Sequence, residues 1–239
     1  MILRPSSKPA LRVGDRTITY KGLIQKIHLF SDMLQGKQGR VIVFSENRES
    51  WAYAFLATWH AGMIPVPVDF LSVADEVAYI LNDCNPSVIF CSEARRKVLN
   101  EALSKYAITP EIIVLDEIEA IDASHMPEEI QFNGKPHDTA VIMYTSGTTG
   151  KSKGVMLSYE NISTNVDAVC KDVSIYTPDA RVMMLLPLHH ILPLLGTLII
   201  PFSVGCMVAI SPSMASEDII RTLNENKISI IIGVPRLYS

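Results

Sequence analysis

The stretch "YTSGTTGKSKGV", running from Tyr144 to Val155, gathers the groups that bind phosphate. Gly147, Gly150 and Gly154 permit backbone conformations that other residues resist, so successive N–H groups can turn toward one anion. The hydroxyls of Thr145, Ser146, Thr148 and Thr149 donate to phosphate oxygens, and Lys151 and Lys153 bring positive charge. Gly150, Lys151 and Ser152 spell the end of a Walker A loop, but that motif needs its first glycine where Thr145 stands. The chemistry is therefore polyphosphate binding by a loop of different construction. The plain alternative is a polar surface loop, because Ser, Thr and Gly are ordinary loop residues.

A second constellation is the pair His189 and His190, which follows "LLPL" at the expected end of a strand. Three readings stay open for it: residues of a ligand pocket, structural histidines, or metal ligands. Against metal, adjacent side chains are expected to diverge, and no carboxylate or cysteine is near in sequence. Cys84, Cys91, Cys170 and Cys206 form no C-x-x-C pair and no grouping with histidine, so they read as reduced, buried thiols. No metal-binding set is read from the sequence.

The elements that must hold these groups alternate along the chain. "LRVGDRTITY" reads as two strands around a Gly14–Asp15 turn, leading into a helix with Leu23, Ile27, Phe30 and Leu34 on one face and Thr19 as its N-cap. Strands are then expected at "RVIVFS", "IPVPV", "SVIFCS" and "EIIVLD", separated by helices over 49–62, 74–82 and 93–106. The segment 117–138 is acidic, contains Pro127 and Pro136, and reads as an irregular connection and a joint between subdomains. Beyond it come strand "TAVIMYT", a helix over 158–170, strand "RVMMLLPL", helix "ILPLLGTLIIPFSV", strand "CMVAI", a helix over 216–226 and strand "ISIIIGV". This pattern predicts an α/β fold of parallel-rich sheets flanked by helices. The expected division is 1–135, a first α/β subdomain with its hairpin and helix, and 136–239, a second α/β portion beginning at the phosphate loop. A loop after a buried strand is expected at the carboxyl edge of a sheet, where open α/β folds bind ligands.

Composition narrows the classes. The chain has 239 residues, 48% of them hydrophobic, enough for a substantial core. A net charge of -4 arises from 21 basic and 25 acidic residues without long like-charge blocks, which argues against a nucleic-acid surface. From Val182 to Ser216 no Asp, Glu, Lys or Arg occurs, a run longer than the roughly 20 residues of a spanning helix. Pro187, Pro193, Gly196, Pro201 and Gly205 interrupt it, so it reads as a buried helix followed by a buried strand, with no transmembrane span. The start of the chain lacks an apolar signal core, and a cytoplasmic location is expected.

The segment "YTSGTTGKSKGVMLSYENI" resembles the signature loop of the adenylate-forming superfamily, which includes acyl-CoA synthetases, firefly luciferase and the adenylation domains of peptide synthetases. Ser152 stands where proline is commonest in that family. The segments "TYKGLIQKIHLFSDML", "NRESWAYAFLATWHAGMIPVPVD", "LPLHHILPLLGTLIIPFSVGC" and "IIGVPRLYS" are similar to the same family, so the resemblance runs from Ala10 to Ser239. It implies attack of a carboxylate on Mg-ATP to give an acyl-adenylate and pyrophosphate, then transfer of the acyl group to the thiol of coenzyme A or of a carrier protein. It implies that Thr145, Ser146, Gly147, Thr148, Thr149, Gly150 and Lys153 contact the triphosphate; Lys151 occupies a position that varies in the family. It places His190 between the acyl and nucleotide pockets, as the catalytic-site histidine that helps position the carboxylate.

The wording "LPLHH" and the apolar run after it lean toward a long-chain fatty acid, and peripheral membrane association through acyl substrates stays open. The resemblance also implies later motifs for adenine, ribose and magnesium and a C-terminal domain, none of which has a counterpart here. The chain is accordingly expected to be an N-terminal fragment, inactive alone. A non-catalytic nucleotide-binding or scaffold module is the alternative.

Overall fold

The computed structural model describes residues 3–105, 107, 109–145 and 152–233. The chain begins with β1 (Pro9–Val13) and β2 (Arg16–Thr19), joined through Gly14 in a left-handed conformation that glycine adopts without strain. Helix α1 (Tyr20–Asp32) follows, and Thr19 Oγ1 accepts the Gly22 N–H at 3.1 Å, the expected N-cap. Next come β3 (Arg40–Phe44), α2 (Glu49–His60), β4 (Ile64–Pro67), α3 (Ala74–Cys84), β5 (Val88–Cys91), α4 (Glu93–Leu103), β6 (Glu111–Val114) and the short α5 (Leu115–Ile118). Then follow β7 (Thr139–Thr145), β8 (Lys153–Ser158), α6 (Tyr159–Asp172) and β9 (Arg181–Met184). A helical run consists of α7 (Ile191–Leu194), a π-helical turn (Leu195–Ile199) and α8 (Ile200–Val204), and β10 (Met207–Ile210), α9 (Ser216–Asn226) and β11 (Ile230–Ile231) complete the order.

Two compact units are distinguished. The first comprises the described residues of Met1–Lys26, Ala123–Gln131 and Asn161–Ser239; the second comprises those of Ile27–Asp122 and Phe132–Glu160. The connection over 117–138 thus contributes to both.

In the first unit the sheet order is β11-β9-β10-β1-β2, parallel except for the β1–β2 hairpin. The charge-free stretch from Val182 supplies its interior: Val182, Met183, Met184, Leu194, Leu198, Ile199, Phe202 and Val208 are all buried. Pro201 has no N–H to return to the carbonyl of Thr197, and the helix widens into π geometry just ahead of it. Thr197 Oγ1 donates instead to the Pro193 carbonyl at 2.7 Å, which satisfies a hydroxyl inside the core. Among the described residues no helix is long and apolar enough to cross a membrane.

In the second unit β4-β3-β5-β6 is wholly parallel, the arrangement expected from near-continuous apolar strands between helices. Ile42, Phe44, Val66, Val77, Leu81, Ile89, Leu99 and Ile142 form one buried cluster there. Two sequence expectations change. The strand "EIIVLD" ends at Val114, and α5 begins where a strand end and irregular chain were expected. The turn is held from elsewhere in the chain: Arg48 forms ion pairs with Asp116 at 3.0 Å and with Glu119, while Leu115 and Ile118 are buried. The second change is strand β8, which begins at Lys153.

Candidate functional site

Strand β7 is a core strand. Ala140, Val141, Ile142 and Met143 are buried in succession, so the segment has no polar face from which to drift. It is held at both ends. Near its start, Trp59 on α2 donates its indole N–H to the Ala140 carbonyl at 2.6 Å. Near its end, the Tyr144 ring packs against the buried cluster and its hydroxyl donates to Asp83 Oδ2 at 2.5 Å. Burial, reinforced by the hydrogen bond to Asp83, pushes the Tyr144 phenol well above its ordinary range, so it stays a protonated donor.

The chain then returns antiparallel as β8, with Ile142 opposite Met156, Met143 opposite Val155, Tyr144 opposite Gly154 and Thr145 opposite Lys153. The residues that flank the glycine- and threonine-rich segment are therefore two paired antiparallel strands, whereas the sequence reading put a strand before it and a helix after it at the edge of a parallel sheet. Strand β8 escaped notice because Lys153, Gly154, Val155 and Met156 are all exposed, so no buried/exposed alternation marks them. A signal was nonetheless present: a Gly/Ser/Thr-rich segment separating "AVIMY" from "VML" is a hairpin pattern. The base of the hairpin is closed too, since the N–H groups of Tyr159 and Glu160 donate to the carbonyls of Asp138 and Pro136 at 3.1 and 2.8 Å.

Of the residues assigned to the triphosphate, Thr145 and Lys153 are brought together as the last register pair of the stem, both exposed. Directly opposed residues of an antiparallel pair project to the same face, so a hydroxyl and an ammonium are presented side by side at the mouth of the hairpin. Ser146, Gly147, Thr148, Thr149, Gly150 and Lys151 lie outside the described residues. Gly154 has a different role from the one its composition implied. It sits in a regular strand without positive φ, and its missing side chain makes room for the Tyr144 ring: a Cβ there would lie 3.2 Å from Tyr144 Cζ. Sequence reasoning assigned no role to Tyr144, Asp83 or Trp59.

His190 belongs to the first unit, beyond β9, and is exposed as the N-cap residue of α7. Its carbonyl accepts the Leu194 N–H at 3.1 Å. The rings of His189 and His190 do not diverge; their centroids are 4.1 Å apart at 50°. Among the described residues no group of three or more His, Cys, Asp or Glu could hold a metal ion. The first unit also has a cavity of about 500 Å³ lined in part by Arg4, Lys8, Tyr20, Phe202, Ser203 and Gly205. Two of its hydroxyls are engaged internally, Tyr20 donating to the Cys206 carbonyl and Ser203 to the Ile199 carbonyl.

Comparison with known proteins gives this geometry a setting. The mitochondrial malonate–CoA ligase of Xenopus laevis is 26% identical over 237 residues, covering 92% of this chain and 40% of that protein. The sulfoacetate–CoA ligase of Cupriavidus necator is 29% identical over 208 residues, covering 85% of this chain and 40% of that one. ATP-bound MatB from Rhodopseudomonas palustris superimposes with a TM-score of 0.82 at 26% identity, over 98% of this chain and 47% of its own. The chain thus spans less than half the length of these relatives. The family model described as AMP-binding enzyme matches residues 3–239, and the chain belongs to that family of adenylate-forming enzymes.

Proposed function

We propose that the protein containing this chain activates a carboxylic acid with ATP, forming an acyl-adenylate and pyrophosphate, and passes the acyl group to the thiol of coenzyme A. The observation that carries this reading is the pairing of Thr145 with Lys153 at the end of the pinned β7–β8 stem in an AMP-binding family chain. The chemistry asked of the hairpin is electrostatic. As the carboxylate oxygen attacks the α-phosphorus, the bond to the bridging oxygen breaks and negative charge collects on the departing pyrophosphate. Thr145 and Lys153 then supply a hydroxyl and a positive charge already in position, which lowers the barrier without reorganisation at the moment of reaction. The donor set of the stem fits a polyphosphate. Mg2+ enters as the counter-ion of ATP, and no residue of this chain is assigned to it.

His190 is proposed to face the carboxylate, by its place after β9 in the family resemblance. The acid itself is proposed only as a class. Relatives bear the names of malonate and sulfoacetate, short acids with a second anionic group. The long-chain fatty acid expected from the apolar run after His190 remains an arm of the test, but Leu194, Leu198, Ile199 and Phe202 of that run are spent in the packing of the first unit. The experiment is pyrophosphate exchange into ATP by the intact protein, with malonate, sulfoacetate, an aromatic acid and a C16 fatty acid each supplied in turn. Exchange that depends on one of these acids supports the reading; ATP turnover indifferent to every acid contradicts it.

A further inference from the structure

Asp83 occupies a position that helix energetics disfavour. It is the second-last residue of α3, where the helix presents its negative end, and the last turn of α3 contains no basic residue. It is exposed, so it serves no packing purpose. What it does is accept the Tyr144 hydroxyl at 2.5 Å, and Tyr144 is adjacent in the chain to Thr145, the first residue of the phosphate-binding sequence. The same tyrosine lies across the stem from Gly154, whose absent side chain admits the ring, and Gly154 adjoins Lys153. One phenol thus touches both strands of the stem immediately below the Thr145–Lys153 pair, and a charged acceptor on a rigid helix fixes its outer end.

We propose that Tyr144 and Asp83 form a latch that positions the phosphate hairpin: Tyr144 and Asp83 are positioning residues for ATP, acting through Thr145 and Lys153 without touching the nucleotide. This rests on the function proposed above. With the latch intact, the mouth of the hairpin is held in the geometry that receives the triphosphate. Without it, the buried middle of β7 stays in place, but its last residues lose the side-chain anchor to α3 and the Thr145–Lys153 pair samples a wider range, so binding must restore the order. The acid substrate, which does not contact the stem in this scheme, is unaffected.

The test compares Tyr144→Phe, Asp83→Ala, Asp83→Asn and the double variant Tyr144→Phe/Asp83→Ala in the intact protein, by pyrophosphate exchange and by amide hydrogen exchange. Loss of a hydrogen bond to a charged group should raise the KM for ATP about tenfold in Tyr144→Phe and in Asp83→Ala, with the acid KM unchanged. The double variant should be no worse than either single one, because both remove the same bond. Asp83→Asn keeps an acceptor oxygen and should recover most of the affinity. Faster amide exchange over 153–157 in Tyr144→Phe, with other strands as protected as before, is the structural counterpart. Unchanged ATP KM in both single variants, additive effects in the double, or equal rises in the acid KM would overturn the latch. Should the wild-type protein show no acid-dependent exchange, the function reading fails, and amide exchange alone decides the latch: unaltered protection over 153–157 refutes it.

Discussion

Tyr144 and Gly154 face each other across the β7–β8 stem, and a methyl group added at Gly154 would stand 3.2 Å from Tyr144 Cζ and 3.0 Å from Ile142 Cγ2. Both distances are tighter than ordinary van der Waals contact, so the ring must move by a few tenths of an ångström. Gly154→Ala is therefore expected to weaken ATP binding several-fold while costing about 1 kcal/mol of stability, the low end of overpacking effects. Steady-state kinetics with a thermal melt checks this. An alanine variant with wild-type ATP affinity would show that the ring does not depend on the glycine.

Lys153 closes the stem opposite Thr145. Lys153→Gln removes the positive charge but keeps much of the side-chain length, and kcat/KM for ATP should fall on the order of 100-fold. Lys153→Arg, which keeps the charge with a different shape, should fall less. Equal losses in the two variants would point to length and fit in place of charge.

The thiols separate by burial. Burial pushes Cys84 and Cys91 up to about 12 and Cys206 up to about 11, whereas Cys170 is only partly buried. Iodoacetamide on the folded protein at pH 7.5 should modify Cys170 first and leave the other three intact until the protein unfolds. Mass spectrometry of timed samples reads the order. Early labelling of Cys84 or Cys91 would show that α3 or β5 opens without global unfolding.

Asp116 gives a pH dependence with a defined sign. Burial raises its pKa, but the Glu93 N–H and Arg48 outweigh that and hold it below its ordinary 3.8. A depressed carboxylate contributes stability that is complete above its unfolded value and disappears as pH falls through its folded value. Denaturant midpoints should therefore hold steady above about pH 5 and decline below about pH 4, and Asp116→Asn should remove part of that decline. An identical acid limb in the variant contradicts the assignment.

The fold was legible because its signals are dense and redundant. Apolar strands such as "RVIVF" and "SVIFC" are buried on both faces, and α1 and α3 carry clear apolar stripes, so much of the α/β order follows from periodicity. Thr19 was readable as a cap because an N-cap hydrogen bond is local in sequence. What was illegible is long-range or exposed. Strand β8 has no buried face, and α5 depends on Arg48, some 70 residues away, a relation that no window of sequence contains. In the candidate site, the residues from Thr145 to Lys153 that are proposed to bind phosphate were chosen on residue type alone, since glycine, hydroxyl and lysine declare their chemistry directly. The supports were not. Trp59 and Asp83 reach β7 from other elements, and only the fold reveals that they hold it.

The most direct measurement is a crystal structure of the intact protein with a nonhydrolysable ATP analogue. β- and γ-phosphate density is expected beside the end of the β7–β8 stem, with the Thr145 hydroxyl and Lys153 Nζ within hydrogen-bonding distance of phosphate oxygens. A nucleotide bound with its phosphates away from both residues would contradict it.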